Sequence, residues 1–210
     1  MKRIPIWYME VVFTLSWYDE TAEKEAAQML IEQKNCVLIS QHADSMGAPT
    51  ACENAGVPNV SYNGSTVDAC PNTFIVSSRI NWAPYFEYVF NCMVTGEAIA
   101  ADYTGTIGTN SVVLTEVNEK AAAAGTAAKI EEVKAALENG TVKVFDTATE
   151  GFITVGGAAL TSYMADVDTD PAYEKDTEAV ADGYFHESEY RSAPYFDVQI
   201  DGIELLNAKF

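Results

Sequence analysis

The chain has 210 residues, 48% of them hydrophobic and 11% aromatic, which is enough apolar mass for one large or two small packed domains. Twelve Lys and Arg stand against 31 Asp and Glu, a formal charge of −19, so phosphate backbones and anionic lipid surfaces are repelled and nucleic acid is excluded as a natural partner. Behind Lys2 and Arg3 the apolar stretch is broken by Pro5 and Glu10, short of the roughly 7 to 15 residues of a secretory core and the roughly 20 of a membrane span; the expectation is a soluble chain without a signal peptide.

Val11 to Ser16 reads as an apolar, β-branched strand running into Trp17-Tyr18-Asp19. Residues 20–33 read as a helix, with Ala22, Ala26, Ala27, Leu30 and Ile31 on one stripe, Glu23, Lys24, Glu25 and Glu32 elsewhere, and Asp19 or Thr21 able to cap the start. A second strand, Cys36 to Ser40, ends in Gln41-His42-Ala43-Asp44-Ser45, and a second helix from Ala48 to Ala55 stops at Gly56. A third strand, Val57 to Ser61, ends in Tyr62-Asn63. Strand, helix, strand, helix, strand implies right-handed crossovers and parallel pairing. The three polar and aromatic clusters then share the carboxyl edge of one sheet, where ligands of such sheets sit.

Beyond the turn-rich stretch 63–72, Thr73 to Ile80 reads as a strand leading through Asn81-Trp82-Ala83-Pro84 into an apolar helix, Tyr85 to Val94. Pro84 suits a first helical turn because it has no amide hydrogen to satisfy. Ser111 to Val117 reads as a strand, and Thr126 to Glu138 as a helix with Ile130, Val133 and Leu137 inward and Gly140 as its stop; Val142 to Phe145 reads as a short edge strand. From Gly151 onward a hairpin at Gly156-Gly157 and an alternating stretch from Tyr195 to Leu206 punctuate acidic, Tyr-rich sequence. The expected division is a partial α/β lobe over 1–72, a return into a second lobe over 73–150, and an extension over 151–210.

Trp17, just after a strand, can stack on a flat ligand, which is worth about 1 to 3 kcal/mol per base in comparable sites; the alternative is a core residue at the sheet edge. His42, Asp44 and Ser45 lie on a strand-to-helix turn, where backbone amides and a carboxylate can meet hydroxyls or ring nitrogens, although Asp44 or Ser45 can equally be a helix cap. Cys36, Cys52, Cys70 and Cys92 lack C-x-x-C spacing and read as core thiols, with Cys52 and Cys70 able to pair in an oxidising setting. Asp166, Asp168 and Asp170 alternate as in a calcium loop, but Pro171 and Thr177 stand where that loop needs Gly and Glu. His186 with Glu187 and Glu189 lacks the second His of a zinc helix. No metal and no cofactor are expected.

In order, Trp17-Tyr18-Asp19 with its Glu-Lys-Glu-Ala-Ala helix, Gln41-His42-Ala43-Asp44-Ser45, Gly56-Val57 with Tyr62-Asn63, and Asn81-Trp82-Ala83-Pro84-Tyr85 resemble the basic membrane protein family. These are the purine-nucleoside-type substrate-binding lipoproteins of bacterial ABC transporters. The resemblance implies a type I periplasmic-binding-protein-like α/β fold, with parallel sheets flanked by helices, two lobes closing on a small-molecule ligand, and the amino-terminal part of the first lobe lying ahead of Met1. It implies a non-enzymatic solute-binding role, a transporter permease as partner, and an extracytoplasmic place with a membrane anchor in the full-length form. Trp17 carries over as the stacking candidate and Asp44, Ser45, Asn63 and Ser65 as polar candidates, while Asn81 and Trp82 match a family motif on the opposite lobe. The family often has acidic residues where Asn63 and Ser65 stand. Two other readings are a nucleoside-processing α/β hydrolase using Asp19 or Asp44 as base, and an interaction module without a ligand.

Overall fold

The computed structural model describes residues 8–207. In chain order the elements are β1 (Met9–Val11), α1 (Glu20–Glu32), β2 (Ile39–Ser40), α2 (Gly47–Ala55), β3 (Asn59–Tyr62), β4 (Phe74–Ile80), α3 (Ala83–Thr95), β5 (Val112–Leu114) and α4 (Thr126–Glu138). Seven short strands follow: β6 (Thr154–Val155), β7 (Ala158–Ala159), β8 (Met164–Ala165), β9 (Thr177–Glu178), β10 (Val180–Ala181), β11 (Tyr184–Phe185) and β12 (Ile203–Leu205). Two compact units result, one formed by Val12–Asn81 with Asn110–Ala135 and the other by the remaining described residues.

The first, or sheet unit, carries a four-stranded sheet in the order β2-β3-β4-β5. β2, β3 and β4 run parallel, with Ser40 beside Val60 and Tyr62 beside Ser78, while β5 is antiparallel to β4. The expected α/β class, parallel strands with accompanying helices, is what the chain forms. Local chemistry sets the helix limits. Asp19 is extended (φ −144°, ψ 92°) and its carboxylate accepts the Ala22 N–H, with Glu20 and Glu23 in the first turn of α1 where the helix dipole favours negative charge. α2 closes at Gly56, whose φ of 68° suits a residue without Cβ.

α1 packs on α2 through small side chains, with Ala27, Ala48 and Ala51 forming one buried cluster. Gly47 is required there. A Cβ at that position would stand 2.2 Å from the Glu20 carbonyl oxygen. Polar side chains inside the sheet find partners: Asn59 donates to the Thr73 hydroxyl (3.0 Å), and the Ser61 and Thr66 hydroxyls pair at 2.9 Å. Cys52, Cys70 and Cys92 are buried and all four cysteines are free thiols; burial, together with the neighbouring Cys70, pushes the Cys52 thiol up to about 12.

Several expectations change. Val12 to Ser16 forms no strand, because Leu15 takes a left-handed conformation (φ 57°) that a pairing strand does not admit. The strand just before it, β1, pairs in parallel with β12. The second strand shortens to Ile39–Ser40, and Val142 to Phe145 is irregular, with Asp146 making one isolated bridge to Tyr184. β4 is hydrogen-bonded to β3 in one sheet, so the chain leaves this unit after Asn81 and not at residue 73, and returns at Asn110.

The second, or tail unit, holds β6 and β7 as a hairpin around Gly156 and Gly157, whose φ values of 59° and 81° are those of the predicted two-residue turn. Two more antiparallel pairs, β8 with β9 and β10 with β11, surround a core of Ile153, Leu160, Ala165, Val167, Ala179 and Phe185. Sequence that reads as a weakly periodic extension thus carries a core of its own. Its α3 begins with Pro in the first turn and ends at Gly96 (φ 76°).

Candidate ligand-binding site at the strand ends

At the carboxyl edge of the parallel strands, β2 gives way to Gln41, whose N–H still donates to the Val60 carbonyl (3.1 Å). The Gln41 side-chain amide then turns back to the carbonyls of Ala43 (2.9 Å) and Ser45 (3.2 Å). This fixes the loop that presents His42 and Asp44. A single backbone bond, from the Asp44 N–H to the Trp17 carbonyl (2.9 Å), fastens the Trp17 segment beside it.

Three rings meet there, one from each segment. Trp17 and His42 stand edge to face with centroids 5.9 Å apart, and His42 and Tyr62 at 4.5 Å, both at 64°. Such contacts are worth about 0.5 to 1.5 kcal/mol each beyond their burial. Trp17 nevertheless remains 72% exposed, so most of an indole surface is available to a flat partner. Asn63 follows Tyr62 in a left-handed conformation (φ 71°), and its N–H donates to the Ser78 carbonyl at 2.7 Å, joining the ends of β3 and β4. The side chains of Asp44, Asn63 and Ser65 are exposed, and the Ser65 hydroxyl accepts the Val67 N–H at 3.3 Å.

Of the residues singled out in the sequence, Trp17, Asp44 and Asn63 lie on the joined ends of these segments, with Ser65 in the loop after Asn63. Ser45 does not face solvent. It is fully buried, its hydroxyl donating to Glu23 (2.6 Å) and accepting the Gly47 N–H (3.1 Å), so an internal bond already occupies it. Asn81 is half-buried, and its side-chain amide donates to the Asn110 carbonyl (2.8 Å), securing the end of β4 to the returning chain. Trp82 belongs to the tail unit, where it directly precedes α3 and its ring meets Tyr85 and Phe86.

His42 enters as the ring partner of Trp17 and Tyr62 as the ring partner of His42, roles that sequence reading did not give them. The available signal was an aromatic residue at each of the three predicted strand ends. Asp19, the other carboxylate considered as a base, is engaged as the cap of α1. Among the described residues no group of three or more His, Cys, Asp or Glu could hold a metal ion, and no helix is long and apolar enough to cross a membrane.

No protein-family model matches the chain. Over 82 residues it is 28% identical to a purine-binding protein of Brucella abortus (strain 2308), a match covering 39% of this chain and 23% of that relative. Among solved structures, a transcriptional activator of the comK gene from Bacillus halodurans superposes with a TM-score of 0.54 at 14% identity, covering 63% of this chain and 47% of that one; this is a likeness of fold. An ABC transporter solute-binding protein from Conexibacter woesei DSM 14684 reaches a TM-score of 0.48 at 19% identity, over 60% and 43% of the two chains. The chain thus spans less than half the length of each of these proteins.

Proposed function

We propose that the chain acts in solute capture for a bacterial ABC importer, and that Trp17, His42 and Tyr62 form the stacking wall for a purine or purine nucleoside. Asp44, Asn63 and Ser65 are the polar contacts in this reading, and the role is binding without turnover. The observation that carries it is the row of three rings at the carboxyl edge of parallel strands, with an indole left open beside exposed carboxylate, amide and hydroxyl groups. The purine-binding relative supports the choice of ligand class. A permease partner, an extracytoplasmic location and a membrane anchor in the full-length form belong to the same proposal.

A ligand that binds only the folded state raises its melting temperature in proportion to the logarithm of ligand excess. Adenine, inosine and guanosine are expected to raise it, with ribose alone and pyrimidines weaker. Trp17→Ala should lower purine affinity about 10- to 100-fold, the equivalent of the stacking energy removed. Absence of any melting shift or titration heat across that panel overturns the capture reading. Release of free base or sugar, abolished by Asp44→Asn, would move the protein to the hydrolases.

A further inference from the structure

We propose that Glu23 is the positioning residue of the strand-end site: one buried carboxylate holds the Trp17 segment and the His42–Ser45 loop in register. This rests on the reading of Trp17 and its neighbours as the ligand wall. Glu23 is only 3% exposed although it lies among the charged residues of α1. Its Oε1 accepts the Asp19 N–H at 2.9 Å, and its Oε2 accepts both the Ser45 N–H (3.2 Å) and the Ser45 hydroxyl (2.6 Å).

The two segments so joined are the ones that carry the candidate contacts. Asp19 lies two residues after Trp17, and Ser45 directly follows Asp44, whose N–H donates to the Trp17 carbonyl. The bonds therefore close a ring that runs from Trp17 through Asp19, Glu23, Ser45 and Asp44 back to Trp17. Ser45 extends it to the Gly47 N–H, the first amide of α2. The charge thus sits near the amino ends of two helices, where it is favoured. Plain filling of the α1–α2 contact would need no carboxylate, and an apolar side chain of that length could not bind amides of two loops. Loops fixed through a shared, fully bonded group hold a binding constellation more tightly than loops left to packing.

The decisive variant is Glu23→Gln, which keeps the shape but turns an amide NH2 toward one set of N–H donors, so that one of the two loops is released. The measurement is Trp17 emission and acrylamide quenching in a background carrying Trp7→Phe and Trp82→Phe, alongside affinity for adenine and inosine. The expected result is a changed Trp17 emission maximum, greater quenching, and an affinity loss of at least tenfold, with helical circular dichroism retained. Ser45→Ala should act in the same direction less strongly, and it carries the test if Glu23→Gln does not fold. Ala51→Gly, which weakens α2 without touching the ring of bonds, should lower the melting temperature and leave Trp17 emission in place. Unchanged Trp17 emission in folded Glu23→Gln, or in Ser45→Ala should the former not fold, overturns the positioning role. Should the parent bind no purine while the variants still shift Trp17, the positioning role stands and the ligand reading falls.

Discussion

The two units hold themselves together by different means. In the sheet unit, backbone ladders and helices do most of the work: three parallel strands, an antiparallel edge, and α1 laid on α2 through alanines and Gly47. In the tail unit most strands are two residues long, too short for a ladder to stand alone, and aromatic side chains and carboxylates make up the difference. Around Phe185 the rings of Phe145, Tyr163 and Phe196 lie at centroid distances of 6.2, 5.7 and 4.8 Å. The lesson is that regular backbone and irregular backbone need different supports, and each should fail to a different substitution.

The largest expected effect is in the tail. Phe185→Ala removes the ring on which three others converge and leaves a cavity, at a cost of about 3 to 5 kcal/mol. Urea unfolding followed by tyrosine near-ultraviolet circular dichroism would measure it. A loss below about 1 kcal/mol would mean that the ring cluster is not the tail's core.

The matching experiment in the sheet unit is Gly47→Ala. A single methyl there meets the Glu20 carbonyl oxygen at 2.2 Å and the Lys24 nitrogen at 3.0 Å, both backbone atoms that cannot turn aside, so α1 and α2 must separate. Overpacking of this kind costs about 1 to 3 kcal/mol, and the upper end is expected. Loss of helical signal at 222 nm on thermal unfolding is the measure; a variant as stable as the parent would break the account of the α1–α2 contact.

The same contrast explains what the sequence disclosed. Helix periodicity with a cap at each end is a local signal, and α1, α2 and α3 start and stop within a residue or two of where Asp19, Gly56 and Pro84 place them, while α4 spans Thr126–Glu138 as read. Strand partners are not local. Nothing around Val11 announces that β1 pairs with β12, nearly the whole chain away, and nothing marks Leu15 as left-handed. The helical pattern sets Glu23 off the apolar stripe of α1, yet it precedes Ala27 by four residues and shares its face; only the arrival of Ser45 from a distant loop makes a carboxylate acceptable there. In the candidate site, the aromatic residues at the strand ends were legible, whereas the burial of Ser45 depended on a partner 22 residues away. The tail's core leaves no such pattern in the sequence, because its apolar residues are drawn from turns and two-residue strands without a period.

The gentlest way to separate the two units is acid. In the tail, the Ser162 hydroxyl and the N–H groups of Tyr163 and Val180 hold Glu178 below the usual carboxylate range. The Thr154 hydroxyl with the N–H groups of Gly157 and Gly156 does the same for Asp201, the Ser192 hydroxyl for Asp102, and Lys175 with Tyr163 for Asp197. In the sheet unit Glu53 is lowered, its bonds to Asn72 and Thr73 outweighing its desolvation. A carboxylate lowered by folding contributes stability that is fully present above its ordinary value and is lost as pH falls through the still lower folded one. These groups are exposed, so each contribution is small and screened, but the tail collects several of them in turns that have little ladder to fall back on. Between pH 7 and about pH 4 tyrosine ellipticity should therefore hold, then decline on further acidification before the larger part of the helical signal, which α1, α2 and most of α4 supply from the sheet unit, does. Glu178→Gln and Asp201→Asn should each flatten that decline. If helix and tyrosine signals fell together at every pH, with the variants tracking the parent, the carboxylate contacts would be incidental and the tail would depend on its rings alone.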